Sequence, residues 1–383
     1  MEKKTKKKLY ATRTVKLGCF FLALILSIGI LQGYLLRRLD HNSIRLDGFY
    51  LEEKGSLDVV FLGASEMYTG ISAGYAYEKY GFTSFPYATE SITADGTMLA
   101  LKEILRTQDP QLIVIDPNAY LYGFDSNETH EGHIHKLVDN IPLSENKIDY
   151  ITNHVSSDQW LEYYMPLIKY HSIWSEYPDP IRRVVSKVKQ DIRGTSYLKG
   201  FRTTTKIFKP DQELEKYKPI QENGKIELQP TLDKKYRELL QFCKDKDLKV
   251  VFMRTPHVVD KTTRNRAKRT NRAAEIANEY GFDFINVEHD IDKTGIDLYN
   301  DFYNLDHMNI YGTVKMTDYI GNILTTKYGV KGKELSEKNK ENWEKSAKCF
   351  DQLYKYCDYL IKEKKEMVQI EEDVNTLSEI SKY

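Results

Sequence analysis

Charge of neither sign is in excess in this chain: Lys+Arg and Asp+Glu each number 56. That parity argues against a general nucleic-acid binder, which neutralises phosphates with a surplus of basic residues. Cysteine is scarce. Cys19, Cys243, Cys349 and Cys357 form no C-x-x-C pair, so no structural zinc is expected. Cys349 and Cys357 lie about two helical turns apart, too far along one helix for a disulfide. No internal repeat is evident, and no cofactor is implied. What the chain does have is apolar and aromatic mass: 41% hydrophobic residues and 28 Tyr in 383 residues. That is enough for one large α/β domain with a tail.

Charge is also missing locally. From Leu17 to Leu36 the sequence LGCFFLALILSIGILQGYLL holds no charged residue, and Gln32 is its main polar interruption. About 20 residues at ~1.5 Å rise match a hydrocarbon core of ~30 Å. Lys3, Lys4, Lys6, Lys7, Lys8, Arg13 and Lys16 precede the run, against Arg37, Arg38 and Arg45 after it, partly offset by Asp40. The larger basic cluster is expected to stay in the cytoplasm as segment 1–16, leaving the main body outside the cell. No A-x-A-like cleavage site follows the run, so the expectation is a retained single-pass anchor over 17–36 rather than a cleaved signal peptide.

Residues 37–56 read as a membrane-proximal connector. A β/α rhythm follows over 57–330. Strands are expected at Leu57–Leu62, Thr83–Ala88 (weakened by Pro86), Gln111–Ile115, Lys249–Met253 and Phe282–Val287. Helices are expected at Ala73–Tyr80, Asp95–Thr107, Leu232–Lys246, Arg264–Tyr280 and Tyr311–Tyr328. Short apolar runs alternating with helical spacing predict a parallel sheet. Between the halves, 144–190 read as mostly helical and 191–230 as an irregular insertion. The tail, 331–383, reads as charged helix, with Trp343, Phe350, Leu353 and Tyr354 as packing residues.

In an open α/β sheet ligands bind beyond the carboxyl ends of the strands, and three loops fall there. Gly63-Ala64-Ser65-Glu66 follows the first strand; Ser65 has the setting of a nucleophile, and backbone N–H groups near Glu66 that of an oxyanion site. The competing reading of Ser65 is a helix N-cap. Asp301-Phe302-Tyr303-Asn304-Leu305-Asp306-His307 precedes the last helix, where His307 can reach a serine at the same sheet edge and act as its base. Asp116-Pro117-Asn118 follows the third strand; Asn118 is either an oxyanion donor or part of a Pro-Asn turn.

The order of a G-x-S after the first strand and a late His before the last helix resembles the SGNH/GDSL hydrolase superfamily. More narrowly, FLGASEMYTG, Tyr163–Trp174 (YYMPLIKYHSIW), VVFMRTP and Asp301–Gly321 resemble membrane-anchored SGNH-like proteins of Gram-positive surface-polymer gene sets. The chain is also distantly similar to the D-alanyl transfer protein of teichoic acids and to alginate O-acetylation proteins. The resemblance implies a flavodoxin-like three-layer α/β/α fold and ester chemistry, deacylation or acyl transfer, on an acylated surface polymer. It implies Ser65 as nucleophile and His307 as base. The family's Asp-x-x-His would place the Asp at 304, where this chain has Asn304; Asp306 and Asp301 are the available carboxylates. The departure opens a second expectation: a non-catalytic partner of a polytopic membrane acyltransferase. The glycine of the family's second block has no counterpart in Ala88-Thr89-Glu90-Ser91.

Smaller features carry weaker expectations. His130, His133 and His135, with Asp125 and Glu131, read as a solvated loop sooner than a metal site. His171 and Trp174 suit either a sugar-binding face or packing. Asn127-Glu128-Thr129 has the form of a glycosylation acceptor of little meaning in a bacterium. Lys261–Arg272 reads as the polar face of a helix, with contact to an anionic polymer or lipid as the alternative.

Overall fold

The computed structural model describes residues 2–125, 131–176, 179–208, 222–259 and 263–383, and the side chains of 2–11 are not described. His130, the Asn127-Glu128-Thr129 triplet and Lys261 therefore lie outside the described residues.

The first helix, α1 (Glu2–Ile30), runs on through a π-turn at Leu31–Leu35. Its stretch Thr12–Leu35 is long and apolar enough to cross a membrane, and its most apolar window, with a mean hydropathy of 2.2, is not buried against the rest of the chain.

The expected connector is not loose. Asp40 caps α2 (His41–Tyr50) by accepting from the N–H groups of Asn42 and Ser43. Most of α2 is buried, Asn42, Ser43 and Arg45 included. Arg45 donates to Ala88 O (2.9 Å) and lies over the Tyr68 ring at 3.5 Å, so its charge is absorbed by the domain rather than by a membrane surface.

Five parallel strands form the central sheet: β1 (Val59–Gly63), β2 (Ser84–Ala88), β3 (Leu112–Ile115), β5 (Val250–Arg254) and β6 (Asp283–Asn286), in the order β2-β1-β3-β5-β6. Each overlaps its expected run to within one or two residues. Pro86 is tolerated because β2 is an edge strand, where a missing N–H leaves no ladder bond unmade. Alternate side chains go to opposite faces. Val60, Leu62, Ile113, Ile115 and Phe252 join a core with α5 (Ala94–Thr107) and α11 (Pro230–Asp245). Val59, Phe61, Val114, Val251 and Met253 join another with α4 (Ala73–Tyr80) and α14 (Ile310–Thr326). Both faces are covered, which explains why β1, β3 and β5 read as near-continuous apolar runs. α4 ends on Gly81 at φ 77, a left-handed cap that suits glycine. α3 (Ser65–Gly70) follows β1, and α12 (Arg264–Glu279) and α13 (Ile291–Thr294) complete the second half.

The stretch 144–190 is mostly helical as expected, with α7 (Glu145–His154), α8 (Trp160–Tyr164), α9 (Pro166–Lys169) and α10 (Pro180–Arg193); α6 (Glu131–Val138), which precedes it, was not expected. The histidine segment is corrected by α6. His135 is buried, not solvated; its Nδ1 lies 2.9 Å from Asp139 Oδ2 and its ring stacks on Tyr163 at 4.0 Å. Glu131 and Glu162 approach the same ring, and the Lys169 ammonium already bonds both carboxylates. A cation is thus supplied by the chain itself.

In the described part of 191–230 the regular structure before α11 is β4 (Thr203–Thr204), paired with β7 (Gln369–Ile370) of the tail. α15 (Glu337–Tyr359) packs along α4: Trp343 meets Tyr77 at 5.3 Å and Phe350 meets Tyr75 at 5.7 Å. Glu372 accepts from the N–H groups of Tyr197 (2.9 Å) and Leu198 (2.8 Å), and α16 (Val374–Ile380) follows. The tail is an integral layer, held to the insertion. Cys349 and Cys357 are buried free thiols.

Candidate functional site

Because the strands are parallel, the loops after β1, β3 and β5 emerge at one edge. β1 lies between β2 and β3, so the winding reverses there and leaves a crevice at the β1/β3 end. The close approach is enforced at Gly63: a Cβ there would sit 2.8 Å from Met67 Cγ and 2.9 Å from Asp116 Cβ. Ala64, not Ser65, is the N-cap of α3. The hydroxyl of Ser65 is therefore not consumed in capping, which removes the competing reading of that serine.

Ser65 Oγ lies 2.7 Å from His307 Nε2 although 242 positions separate them. The loop that brings His307 there is tightly built. Asn309 caps α14 through Tyr311 N–H and donates to Asn300 O at 2.7 Å. Asp301 accepts from Asp297 N–H and from Lys315 Nζ (2.7 Å). Tyr303 N–H returns to His307 O at 3.0 Å, and the Tyr303 ring stacks on the imidazole at 5.3 Å.

Asn304 settles the tautomer. Its Oδ1 lies 2.9 Å from each of three nitrogens: Asp306 N, His307 N and His307 Nδ1. The two backbone N–H groups can only donate, which fixes this atom as the oxygen. His307 Nδ1 must then carry the proton, and Nε2 is left as the acceptor for the Ser65 hydroxyl. The two candidate carboxylates do not take this place. Asp306 is ion-paired with Arg266 of α12, and Asp301 is tied to Lys315. Burial pushes the His307 imidazole below its ordinary pKa; Glu66 and Asp306 pull it up, and His257 and Arg266 push it down. It is thus held as a neutral base.

The Glu66 side chain has a part of its own beside that expected of its backbone N–H. Its side chain is buried beneath the serine, with Oε2 3.3 Å from Ser65 Oγ and Oε1 accepting from Asn118 Nδ2 at 3.0 Å. Burial opposes its ionisation, yet the contacts with His257, His307 and Arg254 hold its carboxyl well below the usual range. Asn118 donates also to Tyr122 Oη at 3.3 Å, so both amide hydrogens are engaged and neither is left for an oxyanion. The N–H groups of Ser65 and Glu66 open α3, where a helix provides no internal partner.

Under Glu66 lies a group that sequence reading did not single out. Arg254, at the end of β5, is wholly buried. It donates to Asn118 Oδ1 (3.0 Å), pairs with Asp116 (3.4 Å) and Glu288 (3.3 Å), and meets His257 Nε2 at 2.9 Å. His257 Nδ1 faces Thr255 O (2.7 Å) and Glu288 Oε1 (3.0 Å). The signal available in sequence was an Arg closing an otherwise apolar strand, VVFMR, which a buried strand accommodates only with counter-charges.

The remaining candidates fall elsewhere. Trp174 is partly exposed and donates its indole N–H to Leu35 O (2.6 Å), while His171 Nδ1 lies 2.9 Å from Ile168 O. Most of the basic segment after Lys261 lies on α12, where Arg264 and Arg272 pair with Glu222 and with Glu227 and Glu275. No family model matches the chain, and no curated protein does either.

Proposed function

We propose that this chain is a membrane-anchored serine esterase or O-acyltransferase of SGNH type, acting outside the cytoplasm on an acylated surface polysaccharide or teichoic-acid-like polymer. The observation that carries the reading is the Ser65–His307–Asn304 chain of hydrogen bonds, 2.7 and 2.9 Å, at the carboxyl edge of a parallel sheet. The strand order, helices on both faces and a crevice at the winding reversal support a flavodoxin-like fold of the SGNH kind. The apolar length of α1 and the basic residues before it support the anchor and the outward placement of the domain.

In this mechanism Ser65 Oγ attacks the acyl carbonyl carbon as His307 Nε2 takes its proton. The tetrahedral intermediate collapses to acyl-Ser65, and His307 returns the proton to the departing alcohol. Water, or an acceptor hydroxyl of the polymer, then attacks the acyl carbon with His307 again as base; the acyl–Ser65 bond breaks and His307 returns the proton to Ser65 Oγ. Asn304 orients the ring without a charge, and Glu66 supplies the nearest buried negative charge. Asn304 also favours a second reading, a non-catalytic subunit serving a polytopic membrane acyltransferase, because the imidazolium has no carboxylate on Nδ1.

The test is to treat the full-length protein in detergent with a fluorophosphonate and map the adduct by peptide mass spectrometry. A single adduct on Ser65 is expected. Folded protein without one overturns the esterase reading and leaves the partner-subunit reading.

A second outcome follows from Asn304. In Asn304→Asp the new carboxylate keeps all three accepted hydrogens and adds a charge on Nδ1. The imidazolium is then favoured, so the acid limb of kcat/KM moves to higher pH, and the plateau rises roughly tenfold, the equivalent of ~1.4 kcal/mol. An unchanged pH profile for hydrolysis of an activated ester would show that position 304 does not face the working imidazole.

A further inference from the structure

The helix α10 is built inside out. Its polar residues Ser186, Lys187 and Gln190 face the protein and are buried. Gln190 Nε2 donates to Ile44 O at 3.0 Å, Ser186 Oγ accepts from Val374 N–H at 3.1 Å, and Lys187 pairs with Asp47 at 3.5 Å. The apolar residues face outward: Ile181 is 65% exposed, Val185 38%, Val188 37% and Ile192 80%. At ~100° per residue these four positions fall within an arc of about 60°. A helix on the surface of a water-soluble domain has the opposite pattern, so the outward stripe needs an apolar environment.

The position of α10 identifies that environment. Tyr34, in the last turns of the apolar run, donates its hydroxyl to Asp191 Oδ2 at 2.8 Å. Arg183 Nη1 donates to Leu39 O (2.9 Å), just past the run, and Trp174 reaches Leu35 O. The stripe is therefore continuous with the place where α1 leaves its apolar stretch. Tyr34 and Trp174 at this level have the chemistry of an interfacial aromatic belt. The exposed Lys189, beside the stripe, suits anionic headgroups. With 14 residues, about 21 Å, α10 is too short to span a bilayer but long enough to lie along one.

We propose that α10 is an interfacial helix lying on the outer leaflet beside the exit of α1, with Ile181, Val185, Val188 and Ile192 inserted among the lipids. The inference rests on the reading of α1 as a membrane anchor. Two attachments, α1 and α10, then fix the orientation of the domain against the bilayer, so that the Ser65 crevice is presented at a constant height and angle to polymer emerging from the membrane.

The experiment places nitroxides on the full-length chain in nanodiscs of phosphatidylethanolamine and phosphatidylglycerol. Single labels go on Val185→Cys, Ile192→Cys, Leu24→Cys in α1 and Lys244→Cys on α11, in a Cys19→Ala background; the other three cysteines are buried. All four labelled positions are exposed, so the substitutions leave the core intact. Accessibility to oxygen relative to a water-soluble nickel chelate is expected to be several-fold higher at Val185→Cys, Ile192→Cys and Leu24→Cys than at Lys244→Cys. If only Leu24→Cys is lipid-exposed, the anchor stands and the α10 inference is overturned. If Leu24→Cys is aqueous, the anchor reading fails and the inference with it. Labels on α10 shielded from both reagents would mean that a second copy or another protein covers the stripe, which also overturns it.

Discussion

Alanine at Ser65, alanine at His307 and the double replacement are expected to slow hydrolysis of an activated ester by nearly the same factor, on the order of 10³-fold or more. The equality matters as much as the size. A nucleophile and its base act as one unit: His307 has nothing to deprotonate once Ser65 is gone, and Ser65 is a poor nucleophile once Nε2 is gone. The 2.7 Å bond between them already has the reactive geometry. What remains in the double variant is the work of binding and of backbone donors, so the losses do not multiply. Full-length protein and a p-nitrophenyl ester suffice for the measurement, with folding checked by thermal unfolding. Ser65 is half-buried and His307 forms no packing core, so all three variants fold. If the losses multiply, the two side chains serve separate steps. If His307→Ala retains wild-type turnover, the dyad is not the catalyst.

How far the sequence reveals this site differs between its layers. Three of the five strands were legible because a parallel sheet covered on both faces needs near-continuous apolar runs, and LDVVFL, QLIVI and KVVFM are such runs; the edge strands β2 and β6 carry a weaker pattern. The pairing of Ser65 with His307 was legible from topology, since both loops leave the same edge. The partner of His307 was not decided by sequence: Asn304, Asp306 and Asp301 are all close along the chain. Only the folded loop shows that Arg266 and Lys315, on two different helices, claim the two aspartates.

Elements stabilised by polar burial were the ones that escaped notice. α2 buries Asn42, Ser43 and Arg45 among Ile44, Leu46 and Phe49, so polar residues interrupt the apolar pattern of its inward face, and residues 37–56 read as a connector. α6 places His135 inside through Asp139 and Tyr163, a choice of partner that local sequence does not announce. α10 shows a clear apolar stripe, but a stripe says only that one face is apolar, not which way it points. The direction comes from Asp47, Ile44 and Val374, all distant in sequence. The tail reads as helical with Trp343, Phe350, Leu353 and Tyr354 packing, and the first three are buried while Tyr354 is half-buried; that the tail is clamped through Glu372 to residues 197 and 198 depends on contacts no local pattern encodes.

The largest expected loss of stability lies below the Ser65–His307 pair, at Arg254. Its guanidinium is fully buried between Asp116 and Glu288, with Asn118 Oδ1 accepting from it and His257 Nε2 lying 2.9 Å away. Burial opposes its charge, but the surrounding carboxylates hold it above its ordinary pKa. Burial raises the Asp116 carboxyl, with Arg254 the main group pulling it back down. Arg254→Met fills much of the same volume but strands Asp116, Glu288 and Glu66 as buried acids without their cation. Breaking a buried pair in this way costs about 3–5 kcal/mol, against a total stability of ~5–15 kcal/mol. On a domain of this size that is a fall in Tm on the order of 10 °C. Arg254→Lys recovers little, because one ammonium cannot reach carboxylates on two sides and an amide at once. The diagnostic variant is Arg254→Met combined with Asp116→Asn and Glu288→Gln. Removing the stranded charges is expected to restore much of the lost stability while leaving Glu66 and Asn118 without their support, so the melting temperature recovers and ester hydrolysis does not. A triple variant no more stable than Arg254→Met would mean that the arginine acts by packing rather than by charge.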